Sequence, residues 1–265
     1  MEIIVLETYH EISQVAAEIV VRSMQETEKI VLGLATGSTP VGLYQELVAR
    51  YKKNEIDFSN AVTFNLDEYV GLEPEHPQSY NSFMEQHLFG EINVPVKQQY
   101  IPPSNISNLK EIDRFCLWYE EEIQRHGGID LQILGIGVDG HIGFNESSSS
   151  LQSRTRLTTL ARSTIEANAK FFDRQIDLVP KMSITMGVGT IMEAKQCILL
   201  ANGENKAKAV ANAIEGPITA SIPASALQMH PNTTILLDAS AAKNLKHLEY
   251  YKWVYQNKRE LETQM

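Results

Sequence analysis

The chain has 265 residues, which suits one large α/β domain with a substantial core, and its 43% hydrophobic and 21% charged residues are ordinary for a globular protein. Its formal net charge of −10 argues against nucleic-acid binding, because the phosphate backbone needs a basic face. The sequence contains no membrane-spanning run and no signal peptide, and its two cysteines are too few for a disulfide framework. We therefore expect a cytoplasmic protein that binds neither nucleic acid nor membrane.

Strand and helix signals alternate along the whole chain. Short apolar runs predict strands at residues 3–6, 30–34, 61–64, 131–135, 155–160, 183–186, 196–201 and 233–237. Apolar residues at helical spacing predict helices at residues 11–25, 40–52, 79–89, 109–125, 164–172, 205–214 and 239–255. Helical crossovers between strands imply parallel pairing. We predict one domain over residues 1–265, a doubly wound, mostly parallel sheet with helices on both faces (Rossmann-like, three-layer), and a C-terminal helical segment at about 239–265.

The most informative loop, Val138–Glu146, follows the predicted strand at 131–135. Open α/β sheets place their ligands at the carboxyl ends of strands. Here His141 is flanked by Asp139 and Glu146, which can hold the imidazole in one tautomer and keep it basic enough to move a proton near neutral pH. The alternative is a polar turn whose Asp and Asn side chains bond their own backbone.

A second loop, after the strand at 30–34, has the composition of a phosphate cradle. Gly37 permits close backbone approach, Thr39 can cap the next helix, and Pro40 suits its first position. The amides at this helix N-terminus and the hydroxyls of Thr36, Ser38 and Thr39 could bind an anion. An ordinary capped turn is the alternative. The loop is neither a Walker loop nor a dinucleotide fingerprint.

Two further strand ends supply a carboxylate and a cation. Asp67 is the better candidate for a buried base, whereas Glu68 is expected to cap the following turn. Lys206 opens a predicted helix, where a positive charge opposes the helix dipole unless an anion shares the site. A solvated surface lysine is the alternative.

Together the four loops predict proton-transfer chemistry on a phosphorylated small molecule. No Cys/His cluster has the spacing of metal ligands, so we do not expect metal catalysis. The serines of Ser147–Ser150 lack the strand–turn–helix context of a nucleophile elbow, which argues against a serine hydrolase.

The chain also resembles the glucosamine-6-phosphate deaminases over nearly its whole length. The matching stretches are Leu32–Pro40, Val62–Leu72, His76–Met84, Leu134–Glu146, Ser153–Arg156, Phe171–Asp173 and Ile184–Met192. The family fold is a doubly wound α/β sheet, in agreement with the alternating elements. The resemblance implies conversion of glucosamine 6-phosphate and water into fructose 6-phosphate and ammonia, by an enzyme of the hydrolase/isomerase kind that uses no cofactor.

The resemblance also implies a role for each loop. His141 would open the pyranose ring, with Asp139 and Glu146 completing its proton relay. Asp67 would abstract the C2 proton of the open-chain sugar and return a proton to C1. The implied phosphate-binding positions are Thr36, Gly37, Ser38, Thr39, Lys206 and Lys170, the last standing where the family usually has arginine.

Regulation and assembly are implied by resemblance as well. The C-terminal segment resembles that of hexameric relatives, which N-acetylglucosamine 6-phosphate activates at an intersubunit site. The matching positions are Ser149, Ser150, Arg156, Thr158 and Thr159. Because Thr158 stands where those relatives have lysine, we expect a homohexamer with a weak response to that effector.

Two other functions are weighed against the deaminase. A 6-phosphogluconolactonase would share the fold, but lactone hydrolysis needs no carbon-acid base such as Asp67 beside a ring-opening histidine. A non-catalytic sugar-phosphate sensor predicts an attached helix-turn-helix segment and a degraded acid/base set. We expect neither of these two features, since the first strand begins near Ile3 and the acid/base set is intact.

Overall fold

The computed structural model describes residues 1–106 and 108–264, with backbone only for 262–264. The strands it describes are β1 Glu2–Leu6, β2 Val31–Leu34, β3 Val62–Asn65, β4 Asp67–Tyr69, β5 Gln99–Tyr100, β6 Leu131–Gly135, β7 Arg156–Thr159, β8 Met182–Thr185, β9 Gln196–Ala201 and β10 Thr233–Asp238. The helices are α1 Tyr9–Glu26, α2 Val41–Lys52, α3 Tyr80–His87, α4 Leu109–Arg125, α5 Arg162–Asn168, α6 Val188–Met192, α7 Ala207–Glu215 and α8 Leu248–Gln264. None of these helices is long and apolar enough to cross a membrane.

Seven strands form a parallel sheet in the order β1-β10-β9-β6-β2-β3-β5. From β2 the chain winds through β3 to β5 in one direction, then returns beside β2 and winds through β6, β9 and β10 in the other. The reversal between β2 and β6 creates the crevice in which doubly wound sheets bind ligands. The predicted fold class is confirmed.

The core lies on both faces of this sheet. Strands β2 and β3 are buried along their whole length, as expected for parallel strands covered by helices on either side. On one face, Tyr119 of α4 meets the ring of Phe64 edge-on at 5.4 Å and donates its hydroxyl to the Asn65 carbonyl. This contact fixes α4 over the end of β3, directly before the residues that enter the site.

A second, antiparallel sheet, β4-β8-β7, was not predicted. The segments at 155–160 and 183–186 are strands, as expected, but they pair with each other and not with the parallel sheet. Asp67 lies in β4, where a loop was expected, because β4 pairs with β8. The register aligns Asp67, Thr185 and Arg156 across the three strands, so their side chains share one face.

One predicted helix cap and one predicted helix start were wrong. Thr39 does not cap α2: its hydroxyl donates to Asn202 Oδ1 at 3.2 Å, and the Tyr9 phenol instead accepts from the Gly42 N–H at 2.7 Å. The C-terminal helix begins at Leu248, not near residue 239, because the carboxylate of Asp238 accepts from two loop amides and holds turns there. Met265, the predicted end of this segment, lies outside the described residues.

Candidate active site

The four predicted loops converge on one cleft at the reversal of the sheet. They follow β9, β6, β2 and β3, which are consecutive neighbours in the sheet, so their carboxyl ends lie side by side. The cleft has a volume of about 390 Å³. Its lining includes Thr36–Thr39, Asp67, Gly135–Asp139, His141, Asn202, Gly203, Asn205 and Lys206.

The histidine of the Val138–Glu146 loop, the signature loop from here on, stands between two carboxylates. His141 Nδ1 lies 2.7 Å from Asp139 Oδ1 and 3.6 Å from Glu146 Oε2. The contact between the Asp139 carboxylate and His141 holds the pKa of Asp139 well below its usual range. Gly137 makes this possible, since a Cβ there would lie within 2.3 Å of the His141 ring. With Nδ1 facing the carboxylates, Nε2 is the nitrogen left to exchange a proton with a ligand.

Glu146 is buried, and only one of its two carboxylate oxygens has a hydrogen-bond partner among the described residues. Its Oε1 accepts from the Ala161 N–H at 3.0 Å, whereas Oε2 has no hydrogen-bond partner among the described residues. An unpaired oxygen 3.6 Å from the His141 ring can take up a shared proton at little structural cost. Asp139, His141 and Glu146 therefore form one contact cluster, whose members differ in solvent access.

The same three side chains could also hold a divalent cation. One ligand atom from each lies within 4.8 Å of the others. Imidazole and carboxylate ligands suit zinc and other transition metals. A metal bound here would occupy the His141 nitrogen and the carboxylate oxygens that the predicted proton relay needs. Metal-free catalysis stays a prediction.

Asp67 also lines the cleft and is only 5% exposed. Burial and the negative charge of Glu68 raise the pKa of Asp67 to about 8, although the Phe144 N–H facing it acts in the opposite direction. Gly143 has a positive φ of 54°, and a Cβ there would lie 3.3 Å from Asp67 Oδ2. The backbone of the signature loop therefore packs directly against this carboxylate. A pKa of about 8 is one that a carboxylate base working near neutral pH would need.

Glu68 points the other way because neighbouring residues of a strand face opposite sides. Its carboxylate accepts from the backbone N–H groups of Tyr69, Tyr80 and Asn81 at 2.8–2.9 Å. It caps the N-terminus of α3 together with Ser79, whereas the sequence predicted a cap on the turn directly after Glu68. Burial raises the pKa of Glu68 to about 7, against these three donors, which lower it.

The turns after β2 and β9 form a cationic cradle in the cleft lining. Gly37 has a φ of 97°, and the Thr39 hydroxyl donates to Asn202 Oδ1 at 3.2 Å, which joins the Thr36–Thr39 turn to the turn that carries Lys206. Lys206 lies in the last position before α7 and is half-buried. Burial and the nearby charge of Lys170 lower the pKa of Lys206, which means that the two ammonium groups lie close enough to repel each other. An anion between them would relieve that repulsion.

Comparison with known proteins identifies the family. The family described as glucosamine-6-phosphate isomerases and 6-phosphogluconolactonases matches residues 7–236. The chain belongs to this family. A glucosamine-6-phosphate deaminase of Thermoanaerobacter pseudethanolicus is 49% identical over 254 residues, which cover 94% of this chain and 99% of that protein. The resemblance found in the sequence is thus confirmed.

Solved structures of two kinds resemble the chain. One described as a monomeric glucosamine-6-phosphate deaminase has 42% identity and a TM-score of 0.88, covering 92% of this chain and 100% of that one. A 6-phosphogluconolactonase of Trypanosoma brucei has a TM-score of 0.74 but 21% identity, covering 92% of this chain and 98% of that one. The likeness to the lactonase shows the shared fold alone.

The family resemblance also marked five effector-site positions, of which the structure joins two directly. Arg156 donates to Ser149 Oγ at 3.0 Å. Thr158 lies two residues further along β7, on the same face as Arg156, whereas the exposed Thr159 lies on the opposite face. Ser150 Oγ accepts from the Gln152 N–H at 3.2 Å in the adjoining loop.

Several cleft residues escaped the sequence reasoning. Tyr80, Ser163, Asn168 and Asn202 all line the cleft. Asn168 donates to the Tyr69 phenol at 2.8 Å, which ties the segment carrying Lys170 to the strand carrying Asp67. Only Asn202 gave a signal, because it directly follows a predicted strand. The others come from helices whose place over the cleft depends on tertiary packing.

Proposed function

We propose that this protein converts glucosamine 6-phosphate and water into fructose 6-phosphate and ammonia. The observation that carries the proposal is one cleft lined by a buried carboxylate, Asp67, by His141 with its acidic partner Asp139, and by a cationic cradle. Ring opening and carbon-acid chemistry act on different atoms of the sugar, and two separate acid/base groups meet that demand. The enzyme is thus an aldose–ketose isomerase that also releases ammonia.

Ring opening is assigned to His141. The proton of the O1 hydroxyl leaves as the C1–O5 bond breaks, and O5 receives a proton, so that the ring becomes an aldehyde with a free hydroxyl at C5. His141 Nε2 shuttles this proton, and the imidazolium that forms is stabilised by Asp139 and Glu146. The site accommodates both the neutral imidazole and the imidazolium of His141, because the carboxylates of Asp139 and Glu146 differ in burial.

Isomerisation is assigned to Asp67. Its carboxylate removes the C2 proton, and the electron pair forms a C1–C2 double bond while the aldehyde oxygen gains a proton. Return of a proton to C1 of this enolamine, with loss of one N–H proton, gives a C2 imine. Water adds across the C2–N double bond, and the nitrogen then takes the proton of the new C2 hydroxyl and leaves as ammonia, so that the C2 ketone of fructose 6-phosphate remains. A pKa raised to about 8 makes Asp67 a stronger base than an exposed carboxylate.

Phosphate binding is assigned to the cationic cradle. The Thr36–Thr39 turn offers backbone amides and hydroxyls, and Lys206 and Lys170 offer charge. Binding of the unreactive phosphate can hold the flexible open-chain sugar so that C1 and C2 lie beside Asp67. Lys170 is exposed and places its ammonium 4.7 Å from the Phe171 ring centre, so it can reach the phosphate from the rim.

Assembly, regulation and location complete the proposal. We infer a cytoplasmic homohexamer that N-acetylglucosamine 6-phosphate activates weakly. Exposed Tyr250 and Trp253 on α8 support self-association, and the buried free thiols of Cys116 and Cys197 suit a reducing compartment. The relative described as monomeric makes oligomeric state a point for direct measurement.

The test is a coupled assay with two substrates. With glucosamine 6-phosphate, we expect ammonia and fructose 6-phosphate in equal amounts, and with 6-phosphogluconolactone no hydrolysis above the spontaneous rate. Lactone turnover without ammonia release would overturn the proposal in favour of the other branch of the family.

A further inference from the structure

A fully buried side-chain amide, that of Asn145, lies in the signature loop. Asn145 is 0% exposed, and its side chain uses three hydrogen bonds. Its Nδ2 donates to the carbonyls of Ile142 at 2.9 Å and Met186 at 2.8 Å, and its Oδ1 accepts from Arg156 at 2.8 Å. Asn145 thereby ties together the catalytic loop, the end of β8 and the strand β7.

The turn closed by Asn145 packs on the face of the small sheet that carries Asp67. Its Phe144 N–H donates to Thr185 Oγ1 at 3.0 Å and also faces the Asp67 carboxylate. A Cβ on Gly143 would lie 3.0 Å from Thr185 Oγ1 and 3.3 Å from Asp67 Oδ2. The turn therefore touches Asp67 on one side, while the next residue, Glu146, reaches His141 on the other.

The bonds of Asn145 explain why this turn can hold its place without regular structure. A backbone bond from the Asn145 N–H to the Ile142 carbonyl, at 3.2 Å, closes the turn. Arg156 then anchors Asn145 to β7 and Ser149 to the same guanidinium. Because β7 and β4 both pair with β8, Arg156 and Asp67 are held in register within one sheet.

We infer that Asn145 is a positioning residue for both stages of the reaction, holding the Phe144 N–H against Asp67 and Glu146 against His141, with Arg156 as its anchor. This inference rests on the proposed function for its kinetic consequences, but not for its structural ones. Arg156 would then hold Asn145 in place within its own subunit, whether or not it also binds an effector.

The decisive readout is the ionisation of Asp67, which a merely structural role would leave unchanged. In Asn145→Ala the Phe144 N–H is released from Asp67 and no longer stabilises its charged form. The pKa of Asp67 then rises, and the acid limb of the kcat/KM profile moves upward by about one pH unit. Arg156→Gln, which leaves Asn145 in place, should give a smaller shift in the same direction.

Two controls separate positioning from folding. Gln132→Met removes another fully buried amide, one whose Oε1 has no partner among the described residues, and should leave the acid limb where it is. Carboxyl 13C NMR titration of Asp67, assigned with Asp67→Asn, follows the same ionisation without substrate. If wild-type protein releases no ammonia, the proposed function fails while this titration still tests Asn145. An unmoved Asp67 titration in both folded Asn145→Ala and Arg156→Gln would overturn the inference.

Discussion

Asp67 and Glu68 are adjacent carboxylates with different tasks, and strand alternation is the cause. Asp67 faces the cleft with few donors, whereas Glu68 accepts three backbone N–H groups of the α3 start and the strand. Burial raises the pKa of each, but only Asp67 is placed to exchange a proton with a ligand. The side chains are chemically similar, and their surroundings determine which one is the base.

The raised pKa of Asp67 predicts a pH-dependent cost in stability. In the unfolded chain the carboxyl titrates near its ordinary value of about 3.9, and in the folded protein near 8. Its contribution is therefore fully present below about pH 4 and is lost as the pH rises through about 8. Asp67→Asn does not titrate, so its Tm should exceed that of the wild type increasingly across this window, by several degrees at the upper end. A Tm difference independent of pH in thermal scans would show that Asp67 is not protonated in the folded protein at neutral pH.

Lys206 is predicted to contribute to binding more than to chemistry. Lys206→Ala removes a charge-assisted hydrogen bond to the phosphate, worth about 1.5–3 kcal/mol, so KM should rise by roughly 10- to 150-fold. Lys208→Ala, an exposed lysine in the first turn of the following helix, is the matched control and should leave KM unchanged. Equal effects of the two changes in steady-state kinetics would point to general electrostatic attraction and not to a phosphate contact.

At the scale of elements, helix α3 depends on a carboxylate from another element. Glu68→Gln keeps one acceptor but turns an NH2 group toward backbone N–H donors, so we expect a loss of about 1–3 kcal/mol and a Tm lowered by several degrees at pH 8. Glu85→Gln, exposed on the same helix, is the control and should have little effect. Thermal unfolding of both variants checks this, and a Glu68→Gln protein as stable as the wild type would refute the capping role.

The elements differ in how far the sequence predicts them. The helix at 109–125 and the strands at 131–135 and 196–201 match the structure residue for residue, because their apolar periodicity is strong and their ends are marked by caps or turns. Strand β5 has two residues and no such pattern. The pairing of β4, β7 and β8 depends on contacts between segments far apart in the chain, which periodicity does not encode.

The whole molecule brings its site together through topology. Alternation of strands and helices predicts that the four loops share one edge of a parallel sheet, and the strand order makes β9, β6, β2 and β3 neighbours there. The identities of Asp67, His141 and Lys206 could thus be predicted as members of one site. The contributions of Tyr80 and Asn168 could not, since helix placement over an edge is set by packing.

Assembly provides a prediction at the same scale. Light scattering should give a particle of six chains of 29.7 kDa each, and the saturation curve should respond only weakly to N-acetylglucosamine 6-phosphate. Thr158→Lys adds a cation on the face of β7 that carries Arg156 and should strengthen this response, whereas Thr159→Lys on the opposite face should not. Strong activation of the wild type at low effector concentration would show that the site needs no cation at residue 158.

The central claim is that Asp67 moves the C2 proton while His141 opens the ring. It is tested most directly by proton NMR of glucosamine 6-phosphate turnover in D2O. The wild type should place deuterium at C1 of fructose 6-phosphate, and His141→Gln should do so more slowly from the cyclic sugar. Asp67→Asn should lose this exchange by a factor of about 10² to 10⁴ while remaining folded. Deuterium incorporation by Asp67→Asn at the wild-type rate would contradict the account.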